Sequence, residues 1–244
     1  MALVKFDSGH SVSSSKASKA KSGKSASVPL PAFIVGLGLP VVGMSLVLIS
    51  VIVLWVSQAN SPARPTSVEG GVRFQPAKKL QLPVLENVDG SPLTEQTMHG
   101  HWTVVNFGYL SCPDVCPVNM AAIHRALTVK EPPSLPDNIT VLYVTMDPAR
   151  DSAEELHDYL SYFDQSYQGA TGPVQDIAEF AKNLGTVFMN NDPEPGGFYS
   201  LSHNSVLSVL NPEGGLAGQL IGSYDSAKLR KFLIDLTTAS PQSK

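Results

Sequence analysis

The stretch GYLSCPDVCP, residues 108–117, is the strongest indication of the fold of this chain and contains its only two cysteines, Cys112 and Cys116. It directly follows an apolar run, Trp102–Phe107, that predicts a buried strand. Four residues are about one helical turn, so a helix that begins here would place both sulfurs on one face. We therefore expect a pair of thiols on a strand-to-helix turn. Such a pair can form a disulfide, hold a soft metal ion, or alternate between the two states.

The sequence after residue 75 alternates between strand and helix patterns. The predicted strands are Leu80–Leu85, His101–Gly108, Ile139–Thr145, Val187–Met189, Ser205–Leu210 and Leu216–Ile221. The predicted helices are Cys116–Lys130, Ser152–Phe163, Val174–Leu184 and Ser226–Leu236. This alternation, closed by a hairpin and a helix, predicts an α/β sandwich. A paired-cysteine turn after an early strand is most typical of a thioredoxin-like fold.

The N-terminal part of the chain divides into segments of different composition. Residues 1–30 are rich in Ser, Lys and Ala and predict a solvated tail. Residues 31–56 contain no charged residue, and as a helix of about 39 Å they would cross a bilayer core. Residues 57–75 predict an extended linker, and residues 76–240 the folded domain. A cleaved signal peptide is the alternative, but the apolar stretch is longer than the usual apolar region of such a peptide.

Charge indicates how the chain is oriented and what it does not bind. The lysines of the first segment predict a cytoplasmic N-terminus, with everything after residue 57 on the far side of a bacterial inner membrane, in the periplasm. Residues 57–244 carry twelve basic and twenty acidic residues, which argues against nucleic-acid binding. In an oxidising periplasm the two cysteines would form a disulfide unless they were reduced or metallated.

The spacing of the cysteines bears on their chemistry. If Cys112 caps the helix and Pro113 takes its first position, the helix N-terminus would stabilise a thiolate. A structural disulfide across so small a loop would add little stability. The thioredoxin redox motif has two residues between its cysteines, whereas this chain has three. The wider spacing suits a metal, and thiolates select soft ions such as Cu(I).

Two further residues are candidates for the same site. Of the six histidines, His203 lies just before the predicted strand Ser205–Leu210, and is either a ligand that faces the cysteine turn or a plain loop residue. His99 and His101 come before the first core strand and are predicted at the surface. Asp147 follows Ile139–Thr145 at the end of the sheet where sites gather, and fits either a turn or a supporting role. Asp151 is predicted to cap the next helix in a capping box with Glu154.

Three motifs occur in this order along the chain: GYLSCPDVCP, VTMDPARD and SHNSVLSVLNPEG. Through them, residues 76–238 resemble the Sco/SenC family of membrane-tethered, thioredoxin-like copper proteins. The resemblance implies that Cys112, Cys116 and His203 bind one copper ion, as Cu(I) or Cu(II), with Asp147 and Asp114 as supporting residues. It implies a role in assembling the binuclear copper site of cytochrome c oxidase, by delivering copper or by reducing the cysteines of the oxidase subunit. An upstream copper donor and a thiol reductant are the other partners expected. The implied protein is a metallochaperone more than an enzyme.

The chain departs from the family pattern at two places, and other functions remain open. Ser202 stands where many members have an aspartate, and residues 109–111 replace the more usual Phe-Thr-His run. A thiol–disulfide oxidoreductase without a metal is the main alternative, although His203-Asn204 replace the proline that such enzymes place before the facing strand. The CPDVC pattern does not fit a peroxidase of the peroxiredoxin kind. A redox-responsive sensor domain is also compatible with the cysteine pair.

Overall fold

The computed structural model describes residues 33–59, 62–191 and 199–239. The described helices are α1 Phe33–Ala59, α2 Glu95–Met98, α3 Val115–Thr128, α4 Ala153–Phe163, α5 Val174–Asn183 and α6 Ser226–Ala239. The described strands are β1 Arg64–Val68, β2 Gly71–Lys78, β3 Glu86–Asn87, β4 Trp102–Gly108, β5 Ile139–Thr145, β6 Gln168–Thr171, β7 Phe188–Asn190, β8 Leu201–His203, β9 Val206–Leu210 and β10 Leu216–Ile221. The predicted tail, residues 1–30, lies outside the described residues.

The chain divides into two compact units, Met1–Ala59 and Asn60–Lys244. Helix α1 belongs to the first unit and overlaps the membrane-spanning segment predicted over 31–56. Its side chains are described for residues 43–57, and all of them are exposed. Within the described part of the chain, no helix is both long and apolar enough to cross a membrane.

The second unit is built on one mixed sheet of eight strands in the order β1-β2-β10-β9-β4-β5-β6-β3. Strands β4, β5 and β6 run parallel to one another, and β9 and β10 pair antiparallel on the other side of β4. All seven residues of β4 are buried, because this strand lies at the centre of the sheet. The segment after β4, which carries Cys112, therefore leaves the middle of the sheet at the shared carboxyl end of β4 and β5.

Successive side chains of β4 and β5 point to opposite faces of the sheet, and each face has its own core. On one face, Val104 and Tyr143 pack with the buried residues of α3, α4 and α6. On the other face, Val105 and Val144 pack with Ile177 and the rest of the buried side of α5. The second core also contains Cys116, with Cys112 packed against it. The described domain is thus the α/β sandwich that the sequence predicted.

Two predictions about the start of the domain are wrong. Part of the predicted linker, residues 57–75, is the hairpin of β1 and β2, and β2 pairs with β10 as part of the sheet. The strand predicted over Leu80–Leu85 is irregular chain, and the short strand that forms is β3. Pro83 has no N–H to donate to a ladder, while Leu85 is buried in the core without strand pairing.

A separate two-stranded sheet stands beside the main one. Strands β7 and β8 pair antiparallel, with Phe188 opposite His203 and Met189 opposite Ser202. We call this pair the His203 ribbon. It places the candidate histidine on an element that shares no ladder with β4 or β5.

Candidate functional site

We call residues 109–114, which join β4 to α3, the cysteine turn. Cys112 lies on this turn, and Cys116 follows in the first turn of α3. Both are free thiols; Cys112 is half-buried and Cys116 is buried. The backbone N–H of Cys112 donates to the carbonyl of Tyr109 at 3.2 Å, which tightens the turn. The helix begins at Val115 with Asp114 as its N-cap, so the prediction that Cys112 caps the helix is wrong. Only Cys116 is helical, and the pair is not an i,i+4 pair within one helix.

Gly108 allows this turn to pass close to the core. A Cβ at Gly108 would lie 2.2 Å from the hydroxyl oxygen of Tyr143 and 2.7 Å from its Cζ. Tyr143 is fully buried, so its ring has no free space into which to move. Because only glycine fits here, the backbone of the turn is placed by packing rather than by a preference of the cysteines themselves.

Asp151, in the loop between β5 and α4, holds the cysteine turn. Its Oδ2 accepts from the backbone N–H of Leu110 at 3.0 Å and from the hydroxyl of Thr145 at 2.5 Å. The predicted capping role of Asp151 is therefore wrong, because Ser152 is the N-cap and its capping box is closed by Glu155. Burial raises the pKa of Asp151, although its two hydrogen bonds oppose that shift.

The two thiols differ in acidity because their surroundings differ. Burial alone would raise the pKa of Cys112, but the backbone N–H groups of Asp114 and Cys116, with the side chains of Cys116 and Tyr109, lower it below its ordinary value of 9.0. Burial, together with the neighbouring Cys112, raises the pKa of Cys116 to about 12. Cys112 is therefore the more acidic thiol of the pair, and Cys116 the less acidic one.

The two predicted supporting aspartates have different surroundings. The Asp114 side chain is exposed and makes no capping hydrogen bond, so what this residue offers Cys112 is its backbone N–H. Asp147 is only 5% exposed and forms an ion pair with Arg150, Nε to Oδ2, at 2.5 Å. Its other oxygen accepts from the hydroxyl of Tyr199 at 2.7 Å. Asp147 therefore joins the end of β5 to the segment that leads into the His203 ribbon.

His203 has a ring nitrogen available for a ligand. Its Nδ1 lies 3.0 Å from the carbonyl oxygen of Asn204, and a carbonyl can only accept, so this contact fits the tautomer with the proton on Nδ1. The Nε2 lone pair is then free. Phe188, opposite His203, packs against the core that contains Cys116. Directly opposite residues of a ribbon share a face, so His203 lies on the face of the ribbon that is turned towards that core.

The structure brings together some of the predicted ligands but not all. Cys112 and Cys116 are neighbours that influence one another's acidity. Across the described residues, no three His, Cys, Asp or Glu side chains lie near enough to one another to hold a metal ion. His203 therefore stays a predicted ligand, and its distance from the thiol pair is governed by how the His203 ribbon is held.

Sequence reasoning gave no site role to Tyr109 or Tyr199, whereas it named Arg150 as a residue that could steady a carboxylate, as it does for Asp147. Tyr109 accepts from the backbone N–H of Leu201 at 3.4 Å and so links the cysteine turn to β8. The Arg150 guanidinium lies 3.7 Å from the centre of the Tyr199 ring, which connects β5 to the same segment. The replacement of the usual phenylalanine by Tyr109 was a usable signal, because it adds a hydroxyl beside the cysteines. Nothing in the sequence around Tyr199 marked it.

Fold and site together define a thioredoxin-like α/β protein with a reduced dithiol on a strand-to-helix turn. Residues 82–237 match the family model described as SCO1/SenC. The chain therefore belongs to the SCO1/SenC family, which confirms the resemblance carried by its three motifs.

Characterised relatives and solved structures agree with this assignment. A candidate copper-binding protein of Stutzerimonas stutzeri is 34% identical over 145 residues, 59% of this chain and 70% of that protein. Mitochondrial Protein SCO1 of Saccharomyces cerevisiae is 32% identical over 145 residues, 58% of this chain but only 48% of its own length. The chain thus spans about half of the yeast relative. The crystal structure of yeast Sco1 with copper bound has a TM-score of 0.59 at 26% identity, covering 68% of this chain and 92% of that one.

Proposed function

We propose that this protein is a membrane-anchored copper-binding protein that serves the binuclear copper site of cytochrome c oxidase during its assembly. It does so by delivering copper or by keeping the cysteines of that site reduced. The observation that carries the proposal is the pair of free thiols, Cys112 and Cys116, on the central turn of an SCO1/SenC fold.

The donor chemistry of the site supports copper as the cargo. Two thiols and an imidazole are the ligand types that suit Cu(I) and, with the imidazole, Cu(II). Burial raises the pKa of Cys112, but the N–H groups around it lower the pKa by more. Cys112 therefore becomes a thiolate at lower pH than an ordinary cysteine. Relatives with similar sequence and fold are named for copper binding or were crystallised with copper bound.

The membrane anchor and the location are parts of the same proposal and are supported by the sequence. Residues 31–56 carry no charge, and the described side chains of α1 are apolar and exposed almost throughout. A helix that is apolar on every side is stable in an apolar environment. We expect the full chain to stay with bacterial membranes after alkaline carbonate extraction, and a chain without residues 31–56 to be released. Release of the full chain would contradict the anchor.

Anaerobic titration of the reduced full chain in mild detergent with Cu(II), followed by visible absorption, tests the metal site. We expect one equivalent to give sulfur-to-copper charge-transfer bands that are lost in Cys112→Ser and altered in His203→Ala. His157→Ala is the matched control, because His157 is exposed on α4, and it should bind as the unsubstituted protein does. Weak binding without thiolate bands, or no effect of His203→Ala, would refute the three-ligand site.

A thiol–disulfide reductase is a second candidate, favoured by the unequal acidity of the two cysteines. The Cys112 thiolate would attack one sulfur of a substrate disulfide, forming a mixed disulfide and releasing one substrate thiolate. Cys116, after losing its proton, would then displace the second substrate thiolate and leave a Cys112–Cys116 disulfide. A thiol reductant would return the two electrons.

Transfer assays separate the two duties. Copper-loaded protein mixed with the reduced copper-binding domain of the oxidase should lose its charge-transfer bands as copper moves. Copper-free reduced protein mixed with the oxidised domain should reduce one disulfide per dithiol oxidised. Transfer without reduction identifies a copper chaperone, and reduction without transfer identifies a thiol reductase.

A further inference from the structure

Tyr199 makes three contacts to the main domain from a position two residues before β8. Its hydroxyl donates to Asp147 Oδ1 at 2.7 Å, and its carbonyl accepts from Arg150 Nη1 at 3.0 Å. The Arg150 guanidinium also lies over its ring, 3.7 Å from the centre. One side chain therefore combines a charge-assisted hydrogen bond with a cation–π contact.

The partners of Tyr199 are themselves fixed to the sheet beneath the cysteine turn. Asp147 is paired with Arg150, and its backbone N–H donates to the hydroxyl of Thr145, the last residue of β5, at 2.9 Å. Met146, just before it, donates to the carbonyl of Gly108 at 2.7 Å, which is where the cysteine turn leaves β4. Tyr199 is thus attached to the same edge of the sheet that carries the thiols.

A second attachment follows two residues later and fixes the direction of β8. The backbone N–H of Leu201 donates to the hydroxyl of Tyr109, and the Leu201 side chain is buried in the core that contains Cys116. Residues i and i+2 of a strand share a face, so His203 points to the same side as Leu201. Whatever holds Tyr199 and Leu201 therefore sets how near the His203 imidazole comes to the thiols.

We propose that Tyr199 is a positioning residue that holds the His203 ribbon to the cysteine turn through Asp147 and Arg150, and so sets the reach of His203. This inference rests on the proposed copper site and deepens it. Tyr199 does not bind the metal; it acts through the strand that carries the ligand. Removing its hydroxyl should weaken the part of copper binding that depends on His203 and leave the part due to the thiols unchanged.

Tyr199→Phe, in the full chain, isolates the hydroxyl because the ring over Arg150 is kept. Copper affinity and the charge-transfer bands are measured for this variant, for His203→Ala and for the double variant. A copper-free readout is the hydrogen exchange of the Leu201 amide, with the Val144 amide in the central strand β5 as internal reference. Tyr162→Phe is the matched control, because Tyr162 is 86% exposed on α4.

We expect Tyr199→Phe to weaken copper binding by about tenfold, the effect of losing one hydrogen bond to a charged acceptor. It should cause no further loss in the His203→Ala background, because the two residues act through one contact to the metal. The Leu201 amide should exchange about tenfold faster without copper, while Val144 does not change. Tyr162→Phe should change none of these quantities.

The outcomes separate this inference from the function on which it rests. If His203→Ala binds copper as the unsubstituted protein does, the three-ligand site fails and the positioning role fails with it. If His203→Ala behaves as expected while Tyr199→Phe binds copper normally, only the positioning role is overturned. An equal loss in both backgrounds, or an unchanged Leu201 exchange rate, would also overturn it.

Discussion

The cysteine turn and the His203 ribbon are attached to the domain in different ways. The cysteine turn continues the fully buried strand β4, is confined by the close approach of Gly108 to Tyr143, and is held by Asp151. The His203 ribbon consists of two three-residue strands outside the main sheet, and its Met189 is 63% exposed. Its links to the domain include side-chain hydrogen bonds such as those of Tyr199 and Asn204.

This difference suggests a division of roles within the site. The two thiols are brought together by the core, so their spacing costs little to maintain once the domain has folded. The imidazole lies on a short element that is held by the packing of Leu201 and Phe188 and by a few polar contacts, which together contribute less than the packing of a central strand. Elements held in this way can shift without unfolding the domain.

The largest effect should follow from disrupting the cysteine turn at its base. Gly108→Ala would place a Cβ 2.2 Å from the hydroxyl of the buried Tyr143, so the free energy of unfolding should fall by about 3 kcal/mol. Denaturant unfolding followed by circular dichroism measures this change. Adding Tyr143→Phe should restore part of the loss, because the nearest atom is removed while Cζ remains. An unchanged unfolding midpoint would show that the turn is not confined by packing.

Replacing Asp151 tests the second support of the cysteine turn. Asp151→Ala leaves the N–H of Leu110 without its acceptor and should lower the free energy of unfolding by about 2 kcal/mol at pH 7. Asp151→Asn should cost less, because an amide oxygen can still accept from both Leu110 and Thr145. Equal losses in the two variants would mean that the charge, rather than the acceptor, holds the turn.

The pH dependence of Asp151 has a defined sign. Since burial raises its pKa above the ordinary value of 3.8, the folded protein binds this proton more tightly than the unfolded chain does. The part of the stability that comes from this tighter proton binding is therefore present at low pH and is lost as pH rises through the folded pKa. Relative to Asp151→Asn, the unsubstituted protein should lose stability on going from pH 4 to pH 7.

Alkylation sharpens the contrast within the cysteine turn itself. Burial raises the pKa of Cys112, but the surrounding N–H groups lower it by more. Burial raises the pKa of Cys116 to about 12. At pH 7, iodoacetamide should modify Cys112 at least about thirtyfold faster, after allowing for the weaker nucleophilicity of the less basic thiolate. Peptide mass spectrometry of the reduced protein gives both rates. The Cys112 rate should reach half of its maximum below pH 9, and similar rates for the two cysteines would contradict the assignment.

The smallest effect is expected in the His203 ribbon. The Asn204 side chain accepts from the N–H of Val187 at 2.7 Å and donates to the carbonyl of Gly185 at 2.8 Å. Asn204→Ala should speed hydrogen exchange at Val187 and lower the free energy of unfolding by about 1 kcal/mol or less. Asn204→Asp keeps the acceptor, so its free energy of unfolding should lie between those of the unsubstituted protein and Asn204→Ala. Faster exchange at Leu110 as well would show that the ribbon and the cysteine turn are one unit.

Elements with strong apolar patterns were predicted well from the sequence. Strands β5 and β10 begin and end at the residues predicted from the sequence, β5 on its β-branched and aromatic residues. Strand β6 was missed because its sequence, QGAT, is hardly apolar. Its Gly169 is required by packing, since a Cβ there would lie only 2.6 Å from the Val88 side chain. The β1–β2 hairpin is not predicted from the sequence because β1, RPTSV, is mostly exposed and carries no apolar alternation. Its place in the sheet is set by pairing with β10.

The sequence by itself determined the chemistry of the candidate site. It supplied two thiols on a strand-to-helix turn, an imidazole further along the chain, and motifs in an order typical of the SCO1/SenC family. Only the tertiary structure decided how these groups are held. The bonds from Leu110 to Asp151 and from Tyr199 to Asp147 join residues 41 and 52 positions apart. Periodicity records which side of a local element is buried, but the meeting of distant polar groups depends on how the sheet brings its strand ends together.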